Sequence, residues 1–241
     1  MRGKMRRIAM MVGRLGFKSI YYFMVLWFYS LKKNKDYDRN FAWVKKITVA
    51  ANKAGKVTIE AHGMEKLPKE NGYILFPNHQ GMYDVLAIIK ASTRPFSVVM
   101  KKELKNIPGL NKVFDCMGSR AIDREDIKQS MKVILDVAKD VKDGKNYLIF
   151  AEGTRTKNPN KVGEFKGGSF KAATKAKCTI VPVALIDCYK PFDTHNLDPV
   201  TVQVHFLEPL TYEMYKDMKS NEIAELVQHR IEQTIEAYEN K

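Results

Sequence analysis

Tyr73-Ile74-Leu75-Phe76-Pro77-Asn78-His79-Gln80-Gly81-Met82-Tyr83-Asp84 carries a strand, a turn and a helix start in twelve residues. Its first four residues form an apolar, aromatic-rich run that reads as a buried strand, and Pro77 both ends it and holds Phe76 extended. Met82 to Lys90 reads as a helix with Val85, Leu86, Ile88 and Ile89 on its apolar face. His79 therefore falls just past a strand end, and Asp84 in the first turn of a helix. On one continuous helix, a separation of five residues at about 100° each would point the two side chains apart. With His79 in the preceding turn they can meet: Asp84 accepts from Nδ1, fixes the tautomer and leaves Nε2 as a general base. Spacing alone leaves a chance pairing open. No second His or Cys stands at ligand spacing from His79, and Cys116, Cys178 and Cys188 are scattered, which argues against a metal site.

A second strand-to-turn signal follows. Tyr147-Leu148-Ile149-Phe150-Ala151 is another buried-strand run, and Glu152-Gly153-Thr154-Arg155 turns the chain behind it. Gly153 lets backbone approach a ligand, Arg155 offers a planar fork for a phosphate, and Thr154 adds a donor. Lys157, Lys161 and Lys166 follow, a pattern that suits an anion funnel and equally a solvated basic loop. Between the two signals, Gly118-Ser119-Arg120-Ala121-Ile122-Asp123-Arg124 precedes a helix. That helix is predicted from Ile127, Met131, Ile134, Leu135, Ala138 and Val141, with Gly144 as its stop. Arg124 lies near its start, where backbone N–H groups favour anions.

Working outward, Val57 to His62, Phe96 to Met100, Cys178 to Ile186 and Thr201 to Leu207 read as further strands. Asn221 to Glu239 reads as a closing helix with Ile223, Leu226, Val227, Ile231 and Ile235 inward. The fold expected is α/β: a mostly parallel, mixed, twisted sheet flanked by helices, with an N-terminal two-helix membrane-binding element. Strand ends of such sheets are where ligands bind.

In order, His79-x4-Asp84, Gly118 to Arg124, Glu152-Gly153-Thr154-Arg155 and Val181-Pro182-Val183-Ala184 resemble the four motifs of the glycerolipid acyltransferase superfamily. In length and layout the chain is most similar to its bacterial 1-acyl-sn-glycerol-3-phosphate acyltransferase branch. The resemblance implies that His79 is the base for an acceptor hydroxyl and that Asp84 supports it. It also implies that Arg124, Glu152, Gly153, Thr154 and Arg155 bind the glycerol-phosphate end, with Lys101 adding to that site. The acceptor implied is lysophosphatidic acid and the donor an acyl thioester, acyl-CoA or acyl carrier protein, with no metal or bound cofactor. Acceptors implied as alternatives are glycerol-3-phosphate or another lysophospholipid, and the alternative outside the enzymes is a non-catalytic lipid-binding protein, which would not need both His79 and Asp84. Many relatives carry Ser or Thr where this chain has Gly81, a departure that favours direct transfer over an acyl-enzyme. The sequence does not identify the oxyanion donor; backbone N–H groups near His79 or Gly153 are candidates.

Charge locates the reaction. Residues 1–56 hold 14 Lys and Arg against Asp36 and Asp38, a balance of +12 in a chain whose net charge is +14. The expected division is accordingly 1–56 as basic, aromatic-rich membrane-binding helices and 57–241 as the acyltransferase domain. Ser19 to Leu31 is uncharged and aromatic. As a helix it reaches roughly 20 Å, short of a hydrocarbon core of roughly 30 Å. A second helix, Phe41 to Ala54, mixes apolar residues with Lys45, Lys46 and Lys53. Basic flanks at Arg2, Arg6, Arg7, Arg14, Lys18, Lys32, Lys33 and Lys35 suit anionic headgroups. The expectation is a monotopic or peripheral enzyme on the cytoplasmic face of the cell membrane, with a tilted spanning helix as the alternative. The segment is too apolar for a solvated nucleic-acid-binding arm.

Overall fold

The computed structural model describes residues 6–32, 36–156, 158 and 160–240. Arg2, Lys33, Lys35 and Lys157 lie outside them. The strands are β1 (Val57–His62), β2 (Tyr73–Pro77), β3 (Ser97–Lys101), β4 (Arg120–Ile122), β5 (Tyr147–Leu148), β6 (Thr179–Ile186) and β7 (Val200–Phe206). The helices are α1 (Arg6–Leu15), α2 (Phe17–Leu31), α3 (Tyr37–Ala54), α4 (Asp84–Ala91), α5 (Leu110–Cys116), α6 (Ile127–Lys142), α7 (Lys171–Ala176), α8 (Lys190–Asp193), α9 (Tyr212–Tyr215) and α10 (Ser220–Glu239).

One seven-stranded sheet runs β1-β7-β6-β2-β5-β3-β4. β6, β2, β5, β3 and β4 are mutually parallel, while β7 runs antiparallel to β6 and carries β1 parallel to itself. The sheet is mixed and mostly parallel, as the sequence predicts. Burial on both faces explains why β2 is apolar without alternation. Leu75 packs with Val181, Val183 and Leu185 against the face covered by α3 and α4, and Ile74 and Phe76 join Ile180, Ala184 and Ile186 on the face covered by α6, α7 and α10. Parallel strands place the exits of β2, β5, β3 and β4 on one edge, so the separate motifs are gathered there by topology.

Several expectations change. The Gly118 to Arg124 stretch contains β4, a strand too short to show periodicity, and the ladder in β5 ends at Leu148, though Ile149 and Ala151 remain buried. On α6 the buried line is Val133, Val137, Ala138 and Val141, whereas Ile127, Met131 and Leu135 are exposed. The apolar arc of that helix is wider than its contact with the sheet.

The N-terminal region holds the expected helix pair, α2 and α3, preceded by a further helix, α1. Phe41 and Val44 of α3 are buried in the same core as the sheet, together with Met11 of α1 and Leu26 of α2. The hydrophobic core therefore does not part at residue 56. Arg7, expected to meet headgroups, is 3% exposed and donates to the carbonyls of Gly55, Asn196 and Asp198 at 2.6, 2.6 and 3.0 Å. α2 differs from its neighbours. Only Leu26 is buried along it, and Phe17 is 90% exposed with Ile20, Tyr21, Met24, Trp27 and Phe28 also in the open. Among the described residues no single helix is long and apolar enough to cross a membrane. α1 and α2 meet the length and composition test only as a pair, bent by 98°.

Candidate active site

The turn after β2 is organised by one carboxylate. Asp84 is fully buried at the start of α4, and its Oδ2 lies 2.7 Å from His79 Nδ1. The same carboxylate accepts from the backbone N–H of Gln80 at 2.7 Å and of Gly81 at 3.0 Å. It therefore caps the turn and fixes the ring together, which is how a five-residue separation brings the two groups into contact. The imidazole stacks on Phe150 with centroids 3.9 Å apart, and its side chain keeps 19% exposure. With Nδ1 engaged as donor to Asp84, Nε2 is the nitrogen able to accept a proton.

Glu152, expected to contact the ligand's glycerol-phosphate end, does something else. It is 4% exposed, and its Oε1 accepts from the backbone N–H of His79 at 2.7 Å. Burial raises its carboxyl pKa to about 7, opposed by hydrogen bonds from the His79 and Gly163 backbone and reinforced by the nearby Asp84 charge. Buried and bonded to the His79 and Gly163 backbone, this carboxyl holds the His79 turn in place. Thr156 N–H donates to the His79 carbonyl at 2.9 Å, a second tie between the β5 exit and the β2 turn.

The remaining turn residues do face outward. Gly153 takes φ +73°, a left-handed conformation that suits glycine, with Lys166 Nζ about 3.9 Å from where a Cβ would stand. Thr154 and Arg155 are exposed, and Arg155 Nη1 lies 3.7 Å from Asp193 Oδ1. Lys101 and Arg124 meet elsewhere. Lys101 Nζ pairs with Glu103 at 3.1 Å, and partial desolvation pulls the Arg124 guanidinium below its ordinary range while Glu103 acts in the opposite sense. Lys102 joins the same cluster by pairing with Asp123 at 2.5 Å. That cluster stands at the β3 and β4 exits, β4 being two strand spacings, about 10 Å, from the β5 turn that carries Arg155. Arg120 is structural, pairing with Asp136 and Asp140 of α6. Val181 to Ala184 is buried β6, as expected of a pocket-shaping strand.

The candidate oxyanion donors are occupied. The N–H groups of His79, Gln80 and Gly81 serve carboxylates, and that of Gly153 serves the Phe150 carbonyl at 3.1 Å. Three residues that sequence reasoning missed tie the site together. The Gln80 side chain accepts from Cys188 N–H at 2.8 Å and donates to Asn160 Oδ1 at 2.7 Å, and Asn160 Nδ2 donates to Asp187 at 3.1 Å. Partners 27 to 108 residues apart leave no signal in local spacing. Among the described residues no group of three His, Cys, Asp or Glu side chains is arranged to hold a metal.

A carboxylate-held imidazole at a strand-to-helix turn, with a guanidinium on the neighbouring β5 turn, has the parts of a transferase site that activates a hydroxyl on an anionic molecule. The chain belongs to the Acyltransferase family, whose model matches residues 58–186. It is 33% identical over 129 residues to the 1-acyl-sn-glycerol-3-phosphate acyltransferase of Borreliella burgdorferi, covering 54% of this chain and 51% of that protein. It is 28% identical over 163 residues to the protein of the same name from Escherichia coli, covering 67% and 66%. The matched region thus spans about half to two thirds of these relatives' lengths. The fold resembles that of the 1-acyl-sn-glycerophosphate acyltransferase PlsC from Thermotoga maritima, with a TM-score of 0.78 at 20% identity over 99% of this chain and 98% of that one.

Proposed function

We propose that this chain is an O-acyltransferase that moves an acyl group from a thioester, acyl-CoA or acyl carrier protein, to the sn-2 hydroxyl of lysophosphatidic acid, giving phosphatidic acid for phospholipid synthesis. The observation that carries this reading is the 2.7 Å contact between His79 Nδ1 and Asp84, set beside the outward Arg155 at the shared strand edge. The names of the relatives at 28–33% identity supply the acceptor.

In the proposed reaction the acceptor's phosphate meets Arg155 and Thr154, with Lys166 beside Gly153 and the Lys101 and Arg124 cluster adding positive charge. His79 Nε2 takes the hydroxyl proton as oxygen attacks the thioester carbonyl. Asp84 stabilises the imidazolium that forms, and the carrier thiolate leaves with the acyl–sulfur bond broken. A thiolate departs unaided, so the protein's work is positioning and proton removal, and the transfer as written uses no cofactor.

The proposed location is an anionic membrane, with the enzyme monotopic or peripheral at the cytoplasmic face, where a lysophospholipid resides; the exposed aromatic face of α2 supports this reading. An acceptor panel tests the reading: purified protein with palmitoyl-CoA or palmitoyl carrier protein, offered lysophosphatidic acid, glycerol-3-phosphate, lysophosphatidylcholine or monoacylglycerol, with products identified by mass spectrometry. Phosphatidic acid as the main product is expected. Preferential acylation of another acceptor would replace the assignment.

A further inference from the structure

Asp193, the last residue of α8, lies beside the candidate site without belonging to any of its motifs. Its side chain is 15% exposed. Oδ1 stands 3.7 Å from Arg155 Nη1, and Oδ2 stands 3.4 Å from the backbone N–H of Met82, just past the His79 turn. The same oxygen explains the glycine in that turn. A Cβ on Gly81 would come within 2.7 Å of Asp193 Oδ2 and 2.9 Å of Tyr189 Cα, so any side chain there would expel the carboxylate or α8. Here φ is not the constraint; close packing against α8 is.

We infer that Asp193 is a positioning residue for acceptor recognition: through one carboxylate it holds the Arg155 guanidinium against the His79 turn, and Gly81 is present to admit it. The inference rests on the proposed phosphorylated acceptor. An unrestrained Arg155, 43% exposed on a turn, would sample many rotamers in water, and each phosphate-binding event would have to order it. Pairing with Asp193 orders the fork beforehand, and the unshared guanidinium edge is left for the incoming anion. Asp193 acts on ground-state capture of phosphate and touches neither Nε2 nor Asp84, so its signature is in KM.

The test is a double-mutant cycle in the purified full chain with palmitoyl-CoA, measuring kcat and KM for lysophosphatidic acid and for monoacylglycerol, which lacks the phosphate. Asp193→Asn should raise KM for lysophosphatidic acid about threefold to fivefold, the range of a partly exposed ion pair, with kcat and the monoacylglycerol reaction little changed. In an Arg155→Ala background the same change should add nothing. Asp193→Ser removes the same charge with a smaller side chain, and should shift the same KM in the same direction even if Asp193→Asn proves poorly folded. The inference is overturned if Asp193→Asn lowers KM, if the two single effects multiply, or if both acceptors are affected alike. Absence of acyl transfer by wild-type protein would instead overturn the acyltransferase reading itself.

Discussion

Asp84→Asn tests the site most directly, because one atom exchange disturbs three hydrogen bonds at a fully buried position. The amide has one oxygen and one NH2 group. If the oxygen stays with the backbone N–H groups of Gln80 and Gly81, the NH2 meets His79 Nδ1, which must then be unprotonated. The proton moves to Nε2, and the base is lost. If the oxygen turns to Nδ1 instead, two backbone donors face NH2 hydrogens. Either way a charge-assisted interaction is lost: about 1.5–3 kcal/mol for a bond to a charged group, or about 1–3 kcal/mol for an unmet buried donor. At about 2–4 °C per kcal/mol for a chain of this size, Tm should fall by roughly 2–12 °C. The chemical step should slow by about 10²–10⁴-fold, the range of general-base catalysis. The assay is transfer of a radiolabelled acyl group to lysophosphatidic acid at saturating substrates, with Tm measured calorimetrically on the same preparations. Because Asp84 acts through His79, the double variant with His79→Ala should be no slower than His79→Ala alone. A folded Asp84→Asn enzyme within tenfold of wild-type kcat, or multiplicative losses in the double variant, would refute the reasoning.

Replacing Met24, Trp27 and Phe28 with Ser should release much of the protein from vesicles in a flotation assay, since it removes exposed apolar surface of α2 that salt cannot screen. Arg6→Gln with Arg14→Gln should weaken attachment mainly to anionic vesicles and in a salt-sensitive way. Arg7→Ala should instead unfold more readily, by about 3 kcal/mol in urea, because three carbonyls lose a buried charged donor. Arg124→Ala should raise KM for lysophosphatidic acid more than KM for the donor, and equal weakening toward monoacylglycerol would contradict its phosphate contact. Glu152, whose folded pKa is raised to about 7, favours the folded state fully below its unfolded value near 4.5. That contribution, about 3 kcal/mol, is lost as pH rises through 7. Urea titrations from pH 4.5 to 8 should show this slope in wild type and a flatter one in Glu152→Gln.

Elements whose signal is local can be read from the order of residues alone. Tyr73 to Phe76 is apolar at every position because both of its faces are covered, and α10 shows its buried line at helical spacing. The His79 and Asp84 pairing was legible for the same reason: a proline, a turn and a helix start within a dozen residues fix their relation. The tertiary structure decided what depended on distant partners. Glu152 and Arg155 lie three residues apart, yet one is buried under the His79 backbone and the other open to solvent, and the difference comes from the turn's packing against β2. Arg6 and Arg7 are adjacent and chemically identical, and only Arg7 finds the carbonyls of Gly55, Asn196 and Asp198. α3 carries Lys45 and Lys46 like a surface helix while its Phe41 and Val44 complete the sheet's core. Asp193 reaches the site from 111 residues beyond Met82. Hydrophobic periodicity reports which face of a segment avoids water, but not whether protein or lipid covers it, and a charged side chain's role is set by the neighbours that folding brings to it.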